Sequence, residues 1–586
     1  MKNLENEIKA YSIKNALEHG KADPSRVLSK LFNHGLEKSE IKEIMPLIQK
    51  TIKEINSLSK KKLEDLYKSF SQYVLEKEDK PHTLPDLPNP SDKMIFRLAP
   101  FPSGALHLGN AKTYLLNALY AEKYNGKTLL VMDDTIGSEV KQIMPESYQL
   151  IEEAFKWLGV KYEKVYYKSD RLDIYYKHAL ELIKKDKAYV CHCLQHILKV
   201  NREKGIECSC RQFPSKEQEK RWKEMFSAKE GSAVLRIKTD MLHPDPAFRD
   251  RVLFKISDRI HPRIGNKYRV WPTLEMSWAI DDHLLGITHI LRGMDLQIET
   301  NMEKYIWDIF KWKHPETIHG GLINIEGAEA KISKSKAQDE VKSGAYMGWD
   351  DPRTWSIQSL KRRGILPESI RAFIEEIGLN KQNITIPIDS LYAINRKLID
   401  EYVNRYSFVL NPIELQISNK PESKIIEVPI HPDKKETRAI MVDKIFISSS
   451  DFEKFKGKEI RLLHLYNIKL GTKIKENKEI PSKLVTLQSG ISNRHSRTKD
   501  STTNGNAYKI EAKFTTMENK DIQKINWVSD YMNCSIMMIN GEKVKGFAES
   551  SIKTLKISEI VQFERFAFCR YDNMKDNIYE FWFTHK

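Results

Sequence analysis

The chain has 586 residues, of which 40% are hydrophobic and 30% charged, a composition typical of a folded protein with about three to five domains. No apolar run is long enough to span a membrane, the N-terminus lacks the apolar core of a signal peptide, and six cysteines are too few for a disulfide scaffold, so we expect a cytoplasmic protein without membrane association. The formal net charge of +16 favours a polyanionic partner such as nucleic acid, although a lysine-rich surface that only maintains solubility would explain it equally well.

The N-terminal part, residues 1–80, is predicted to be a helical domain. Apolar residues recur there at steps of three and four, as in Leu4, Ile8 and Tyr11. The next segment, 81–93, is rich in proline. Because proline lacks a backbone donor and favours extended chain, this segment is predicted to be a linker.

From residue 94 onward the pattern alternates between strand and helix. Residues 94–98 (MIFRL) and 128–132 (TLLVM) predict buried strands, and residues 110–126 between them predict an amphipathic helix. Such a unit predicts a parallel sheet with its ligand site at the carboxyl ends of the strands, where His107 and Asp133 stand.

The whole pattern predicts a multidomain protein with α/β and all-β parts. The predicted domains after the linker are the first half of a Rossmann-like catalytic domain (94–189), an insert with a cysteine cluster (190–270), the second catalytic half (271–340), a helical connecting domain (341–411) and a β-barrel region (412–586).

The stretch PFPSGALHLGN follows the first predicted strand. It lacks the lysine that a Walker loop needs after its second glycine, and it lacks the G-x-G-x-x-G of dinucleotide-binding turns. Gly104 and Gly109 would let an anion approach the backbone, and His107 and Asn110 stand at a helix start, where unpaired N–H groups and an imidazole suit phosphate binding. Taken alone, the stretch is better explained as an ordinary strand-to-helix turn with a surface histidine.

A second candidate is the loop AEAKISKSK, which begins at residue 328. Lys331 and Lys334 would supply charge, and Ser333 and Ser335 hydrogen bonds, if this loop closed over a triphosphate. Taken alone, such a loop is usually a solvated surface segment.

The cysteines form a third candidate site. VCHC and ECSC place Cys191, Cys193, Cys208 and Cys210 in two C-x-C pairs, close to the spacing of structural zinc sites. His192 or His196 would be able to replace one thiolate. The alternative is two reduced cysteine pairs without metal.

AIDDHLLG (279–286) places Asp281, Asp282 and His283 side by side. Read as a strand, this segment would point successive side chains to opposite faces, so the three residues are not expected to bind one metal ion. We expect a structural segment that also lines the nucleotide site.

PFPSGALHLGN resembles the HIGH-motif region of class I aminoacyl-tRNA synthetases, and KISKS resembles their KMSKS loop. Other segments, including LLVMDDT, KYRVWPT, AIDDHLLGITHILRG and VQFERFAFCR, are similar to glutamyl-tRNA synthetases of the archaeal and eukaryotic type. The resemblance covers nearly everything from 94 to 586, and the N-terminal helices more loosely. It implies a class I Rossmann-like catalytic domain with an acceptor-binding insert, an N-terminal helical domain and a C-terminal β-barrel anticodon-binding region.

The resemblance also implies an activity: ATP-dependent attachment of glutamate to tRNA through a glutamyl-adenylate, with Mg²⁺ and a structural Zn²⁺. It implies a monomer with tRNA and glutamate as partners; the N-terminal helices would be able to contact a protein, and charging of tRNA(Gln) stays open. The implied ATP-binding residues are Pro100, Gly104, His107, Gly109, Asn110, Lys331, Ser333, Lys334 and Ser335, of which His107, Asn110, Lys331 and Lys334 are catalytic. The implied amino-acid-binding residues are Arg97 and Arg292 for carboxylates, Asp133 for the amino group, and Leu274 and Trp278 in the pocket wall.

Several residues depart from the family pattern. Asn110 replaces the second histidine of HIGH, and Phe101, Leu274 and Trp278 make the expected amino-acid pocket more apolar and remove a hydroxyl. Two alternatives therefore stay open: a paralogous class I synthetase with altered amino-acid or tRNA choice, and a non-catalytic tRNA-binding protein with a decayed site.

Overall fold

The computed structural model describes residues 3–34, 36–37, 40–74, 84–136, 142–326, 334–422, 425–476 and 508–586. The chain divides into two compact units, Met1–Thr83 and Leu84–Lys586. No helix in these described ranges is both long and apolar enough to cross a membrane.

The first unit is helical in its described residues. Its helices are α1 (Leu4–His19), α2 (Pro24–Leu31), α3 (Ile41–Asn56) and α4 (Lys60–Phe70). Ile8, Leu31, Ile48 and Leu63 bring one buried residue from each helix into a common core, as the apolar spacing predicts.

The second unit begins with alternating strands and helices. They are β1 (Ile95–Leu98), α5 (Leu108–Lys123), β2 (Lys127–Met132), α6 (Glu146–Trp157), β3 (Val165–Tyr167) and α7 (Leu172–Lys184). The three strands are parallel in the order β1-β2-β3. Leu129 and Val131 of β2 enter one core and Leu130 and Met132 another, so the sheet is buried on both faces.

An antiparallel insert follows. Its elements are β4 (Ala188–Cys191), α8 (Gln195–Lys204), α9 (Ser215–Met225), β5 (Val234–Ile237), β6 (Val252–Ile256) and β7 (Val270–Pro272). The four strands pair in chain order.

The chain then returns to the parallel sheet. The next elements are α10 (Leu274–Leu284), β8 (His289–Gly293), α11 (Gln297–Phe310), β9 (Glu316–Gly320), β10 (Ile323–Glu326) and α12 (Lys334–Lys342). The N–H of Thr288, just before β8, donates to the carbonyl of Ile95, so β8 lies beside β1. Strands β8 and β9 are parallel. The strands therefore run β3-β2-β1-β8-β9, a doubly wound α/β arrangement.

A mostly helical segment links the sheet to the C-terminal part. It contains α13 (Ile357–Arg363), α14 (Pro367–Ile377), β11 (Ile384–Pro387) and α15 (Ile388–Ile399), and β11 pairs in parallel with β10.

In its described residues, the C-terminal part consists mainly of β-strands, with one short α-helix and a 3-10 turn at Ser550–Thr554. Its elements are β12 (Arg405–Tyr406), β13 (Phe408–Leu410), β14 (Pro412–Ser418), β15 (Ile425–Pro429), β16 (Thr437–Met441), β17 (Ile445–Ser448), α16 (Ser449–Phe455), β18 (Glu459–Leu462), β19 (Asn467–Glu476), β20 (Tyr508–Thr516), β21 (Lys524–Ile525), β22 (Tyr531–Met537), β23 (Lys543–Glu549), β24 (Ile560–Phe563), β25 (Ala567–Lys575) and β26 (Ile578–His585). They form a six-stranded and a seven-stranded barrel-like sheet and the hairpin β15–β16. Each large sheet has its own core, which agrees with the expected β-barrel region.

The described part of the predicted linker, residues 84–93, contains neither helix nor strand. It is nevertheless packed, because Leu84 and Leu87 are buried in the core beside β1 and α5. The N–H of Leu87 donates to the hydroxyl of Tyr124 over 2.8 Å, and the imidazole of His289 lies 3.2 Å from the carbonyl of Pro88.

Candidate active site

The bend between β1 and α5 is held by a second segment of the chain. The N–H of Ile357 donates to the carbonyl of Leu106, and His107 and Ser356 form an isolated β-bridge. Gly104 has φ +138°, and a Cβ added to it would lie 2.2 Å from the ring of Trp349. Glycine is therefore required here by both backbone conformation and space.

His107 is the N-cap residue of α5. Its Nδ1 accepts hydrogen bonds from the N–H groups of Gly109 (3.1 Å) and Asn110 (3.3 Å), and Asn110 Oδ1 accepts from the N–H of His107. The expectation of unpaired amides at this helix start is therefore wrong, because the histidine itself caps them. A neutral imidazole that accepts at Nδ1 carries its proton on Nε2, the nitrogen that can donate to a phosphate.

A cavity of about 700 Å³ lies at the carboxyl ends of the parallel strands. Nine of the residues singled out in the sequence line it: Arg97, Phe101, His107, Gly109, Asn110, Asp133, Leu274, Trp278 and Arg292. Pro100 and Gly104 do not. The carbonyl of Pro100 accepts from the N–H of Asp133, so it joins the ends of β1 and β2.

Arg97 is neutralised by a carboxylate from α10. Its Nε and Nη2 donate to the two oxygens of Asp282, at 2.5 and 3.1 Å, and both side chains are buried. The guanidinium also lies 3.6 Å from the ring centre of Trp278. A bidentate, stacked guanidinium has one orientation, which suits precise placement of a carboxylate ligand.

Arg292 has a similar arrangement at the end of β8. Its Nη1 donates to Glu303 (2.8 Å) and to the hydroxyl of Thr300 (3.0 Å). Burial raises the pKa of Glu303 to about 7, against the opposing effect of Arg292. The buried Nε of Arg292 has no hydrogen-bond partner among the described residues, so it can donate to a ligand.

Asp133, at the end of β2, forms an ion pair with Lys168, the residue that follows β3. Lys168 Nζ lies 2.9 Å from Asp133 Oδ1. Since the carboxyl ends of parallel strands meet at one edge, the position of Lys168 directly after the short strand β3 was the signal that could have identified it. Sequence reasoning missed Lys168 and Glu303 and gave Asp282 no charge-pairing role. These three residues pair with Asp133, Arg292 and Arg97, respectively.

The segment AIDDHLLG is not a strand, because residues Leu274–Leu284 form α10. Asp281 accepts from Arg171 (2.8 Å) and Tyr175 (2.6 Å), whereas Asp282 binds Arg97. The ring of His283 stacks on Trp312 with centroids 3.9 Å apart. The three neighbours have separate partners, so the expectation that they do not share a metal ion agrees with the contacts, although the reason given for it was wrong.

The second motif is only partly described. Lys331 and Ser333 lie outside the described residues. Lys334 and Ser335 are the first residues of α12, where the structure describes the backbone but not these two side chains. Ala337 of α12 is buried in one small cluster with Ala105 and Trp349. The helix that follows the lysine-rich loop thus packs on the bend that precedes His107.

The four cysteines converge at the edge of the insert. Their Sγ atoms all lie within 4.8 Å of one another. Cys191 Sγ is 3.5 Å and Cys193 Sγ 3.7 Å from Cys208 Sγ. The hydrogen bond with Cys191 is the main cause that lowers the pKa of Cys208 to about 5. His192 is directed elsewhere, with Nδ1 3.1 Å from the carbonyl of Ser232.

Comparison with known proteins agrees with this architecture. Residues 93–401 match the catalytic domain of the family described as tRNA synthetases class I (E and Q), and residues 403–488 and 514–572 match its anticodon-binding domains. The doubly wound sheet and the bend capped by His107 lie within this match, so they form the catalytic domain of a class I tRNA synthetase.

Archaeal relatives match along the whole chain. The glutamate–tRNA ligase of Pyrococcus abyssi is 40% identical over 600 residues, which is 98% of either chain. That of Thermococcus onnurineus is 38% identical over 603 residues, covering 100% of both chains, and that of Methanocaldococcus jannaschii is 36% identical over 585 residues, covering 98% of both. The chain therefore belongs to the class I tRNA synthetases of the E and Q group.

Proposed function

We propose that this protein is an ATP-dependent ligase that activates glutamate as an adenylate and transfers it to the 3′-terminal ribose of tRNA. The observation that carries the proposal is that one cavity is lined by the nucleotide-site residues His107 and Asn110 and by the charged residues Arg97, Asp133 and Arg292. The archaeal relatives that match nearly the full chain are glutamate–tRNA ligases, which supports the same activity.

The chemistry requires little covalent participation by the protein. The glutamate α-carboxylate attacks the α-phosphate of ATP, the bond to pyrophosphate breaks, and the ribose hydroxyl of tRNA then displaces AMP. Positioning and charge stabilisation dominate such a reaction. His107 Nε2–H and the amide of Asn110 would donate to phosphate oxygens, and Pro100, Gly104 and Gly109 would shape the bend that receives ATP.

The amino-acid end would use the other charged groups of the cavity. Arg97 and the unpartnered Nε of Arg292 would bind carboxylates, and Asp133 would bind the ammonium group. Lys331, Ser333, Lys334 and Ser335 would cover the departing pyrophosphate, whose charge Mg²⁺ neutralises when bound.

Charging assays test this proposal. The purified protein is incubated with ATP, Mg²⁺ and total tRNA and with each of the twenty amino acids in turn. Strong, glutamate-dependent charging is expected, and transcripts of tRNA(Glu) and tRNA(Gln) then show which is the acceptor. Charging with a different amino acid would support an altered pocket, in which Phe101, Leu274 and Trp278 line the cavity. No charging with any amino acid would contradict the enzyme assignment.

A structural zinc ion in the insert is the second part of the proposal. Zinc–thiolate bonds of about 2.3 Å place four sulfurs roughly 3.8 Å apart, and the four Sγ atoms already lie within 4.8 Å of one another. Cys191, Cys193, Cys208 and Cys210 would hold the ion. These cysteines lie at the end of β4 and beside α8, and none of them lines the cavity. The ion would therefore have a structural role.

The remaining parts of the proposal concern partners. The insert would contact the acceptor end of tRNA, and the barrel-like sheets, whose sequences match anticodon-binding domains, would read the anticodon. We infer a cytoplasmic monomer whose N-terminal helices are available to a protein partner. Size-exclusion chromatography with light scattering would check the monomer.

A further inference from the structure

Lys168 is the most completely buried lysine near the cavity. It follows β3, its side chain has no solvent exposure, and it does not line the cavity. An ammonium group is costly to remove from water unless charges and hydrogen bonds compensate it. Burial lowers the pKa of Lys168, and Asp133 and Asp281 oppose that effect.

Three contacts hold the ammonium group. Besides the ion pair with Asp133, Lys168 Nζ donates to the hydroxyl of Ser277 over 2.7 Å. It also lies 3.4 Å from the ring centre of Trp278. Asp133 and Trp278 line the cavity, so Lys168 contacts two of its walls from behind.

Trp278 is fixed by two cations. Arg97 and Lys168 both lie over its ring, at 3.6 and 3.4 Å from the centre. Cation–π contacts are strongest between desolvated groups, so the two cations favour one rotamer of this buried indole. Because Trp278 and Asp133 share Lys168, the position of the aromatic wall and the position of the carboxylate are linked.

We propose that Lys168 is a positioning residue for amino-acid binding, which holds Asp133 where the substrate ammonium group binds and Trp278 where the side-chain pocket ends. The inference rests on the proposed function, since Asp133 is taken as the ammonium partner. Loss of Lys168 would leave Asp133 as a buried carboxylate without its cation and would release Trp278. Binding of the amino acid would then weaken, whereas binding of ATP at the bend would not.

The test compares steady-state constants in ATP–pyrophosphate exchange with tRNA present. Lys168→Met is expected to raise the KM for glutamate at least tenfold and to change the KM for ATP less than twofold. Glutarate, which is glutamate without its amino group, is used as a competitive inhibitor. Its inhibition constant should rise at least threefold less than the KM for glutamate, because glutarate makes no bond to Asp133 and senses only the release of Trp278.

Two further variants keep the test decisive. Ser277→Ala removes only the hydroxyl partner of Lys168 and should raise the KM for glutamate about threefold. If Lys168→Met does not fold, Ser277→Ala alone tests the role of Lys168. Lys238→Met is the matched control. Lys238 also forms a lysine–carboxylate pair, with its Nζ 2.6 Å from Asp186 Oδ1, but it belongs to the insert and does not line the cavity. It should leave both KM values unchanged.

The outcomes separate the two proposals. If the wild-type protein shows no glutamate-dependent exchange, the proposed function is wrong and this inference is wrong with it. If the wild-type protein is active and the folded variants keep the KM for glutamate within twofold, only the role of Lys168 is overturned. Equal weakening of glutamate, glutarate and ATP would likewise overturn it, because that pattern indicates general damage to the cavity.

Discussion

Gly104 lies against the six-membered ring of Trp349, where the chain turns from β1 towards α5. Its φ of +138° is a conformation that L side chains rarely adopt, and its missing Cβ leaves room for the indole. Trp349 in turn belongs to the segment whose carbonyls and amides hold the bend. One residue without a side chain thus allows the two segments to approach.

Gly104→Ala is expected to destabilise the protein by roughly 3 kcal/mol or more, because backbone strain adds to the steric clash with Trp349. Thermal unfolding and pyrophosphate exchange would both report the change. Gly159→Ala is the matched control, with φ +70° and nothing within 4 Å of the added Cβ, so only strain of about 1 kcal/mol is expected. Equal effects of the two substitutions would show that the contact with Trp349 does not matter.

Individual site residues differed in how well the sequence revealed them. His107, Asn110 and Asp133 follow strands within recognisable motifs, and the cavity brings them together. The position of Lys168 after β3 was a weaker signal, and Asp282 was interpreted only as part of a structural segment. Their roles come from contacts with residues far along the chain: Asp282 binds Arg97, 185 positions away. A pairing at that separation is set by the order of strands in the sheet, which residue types alone do not encode.

At the scale of single elements, the insert offers a direct test. Cys208→Ser should abolish stoichiometric zinc, measured by elemental analysis of the purified protein, because the thiolate that contacts both Cys191 and Cys193 is removed. Hydrogen exchange should then increase in α8 and its flanking loops, where only protein contacts would remain. The two cores that cover the parallel sheet contain none of the four cysteines, so its exchange should not change.

Cys534→Ser is the control for this experiment. Cys534 is buried in β22 within a different core and should not affect the metal content. Wild-type protein that contains no zinc after expression in zinc-supplemented medium would contradict the proposed metal site.

The elements themselves were predictable where the pattern was simple. The runs IFRL and TLLVM are apolar and bounded by glycine, proline or charge, and they form β1 and β2 in the parallel register expected. Helix α10 was misread because Asp281 and Asp282 are polar yet fully buried, so its hydrophobic periodicity is hidden. A buried ion pair removes the distinction between inner and outer faces on which sequence patterns depend.

At the scale of the whole molecule, the last strand joins the anticodon-binding part to the helices behind the cavity. Buried Arg363 donates to the carbonyls of Phe583 and Thr584. The side-chain amide of Asn395 lies 3.0 Å from His585 Nε2, which must therefore accept. The sequence predicts that the all-β region follows the helices. It does not predict how the two parts pack, because that packing depends on Arg363, Asn395 and His585, which are distant from one another in the chain.

This contact predicts a pH dependence of stability. Burial lowers the pKa of His585 from 6.5 to about 4, so the unfolded chain binds the proton more readily than the folded protein. The contribution of neutral, buried His585 to the free energy of unfolding is therefore present above pH 6.5 and is lost as the pH falls towards 4. Between pH 7 and pH 5 the loss is about 2 kcal/mol for this group.

His585→Gln keeps a hydrogen-bonding side chain that does not titrate. The drop in unfolding free energy between pH 7 and pH 5, measured by denaturant titration, should be about 2 kcal/mol smaller in this variant than in the wild-type protein. The other histidines are common to both proteins and cancel in the comparison. An identical drop in both would show that His585 is not the group responsible.

The packed residues 84–93 determine where the chain can be shortened. Leu84 and Leu87 close the core beside β1, and Asn89 donates to Glu316 over 3.1 Å. A shortened chain that starts at Leu84 would keep these two leucines over the core. One that starts at the first strand would expose apolar surface and be prone to aggregation. Any attempt to crystallise the catalytic and anticodon-binding parts alone should therefore retain the proline-rich stretch.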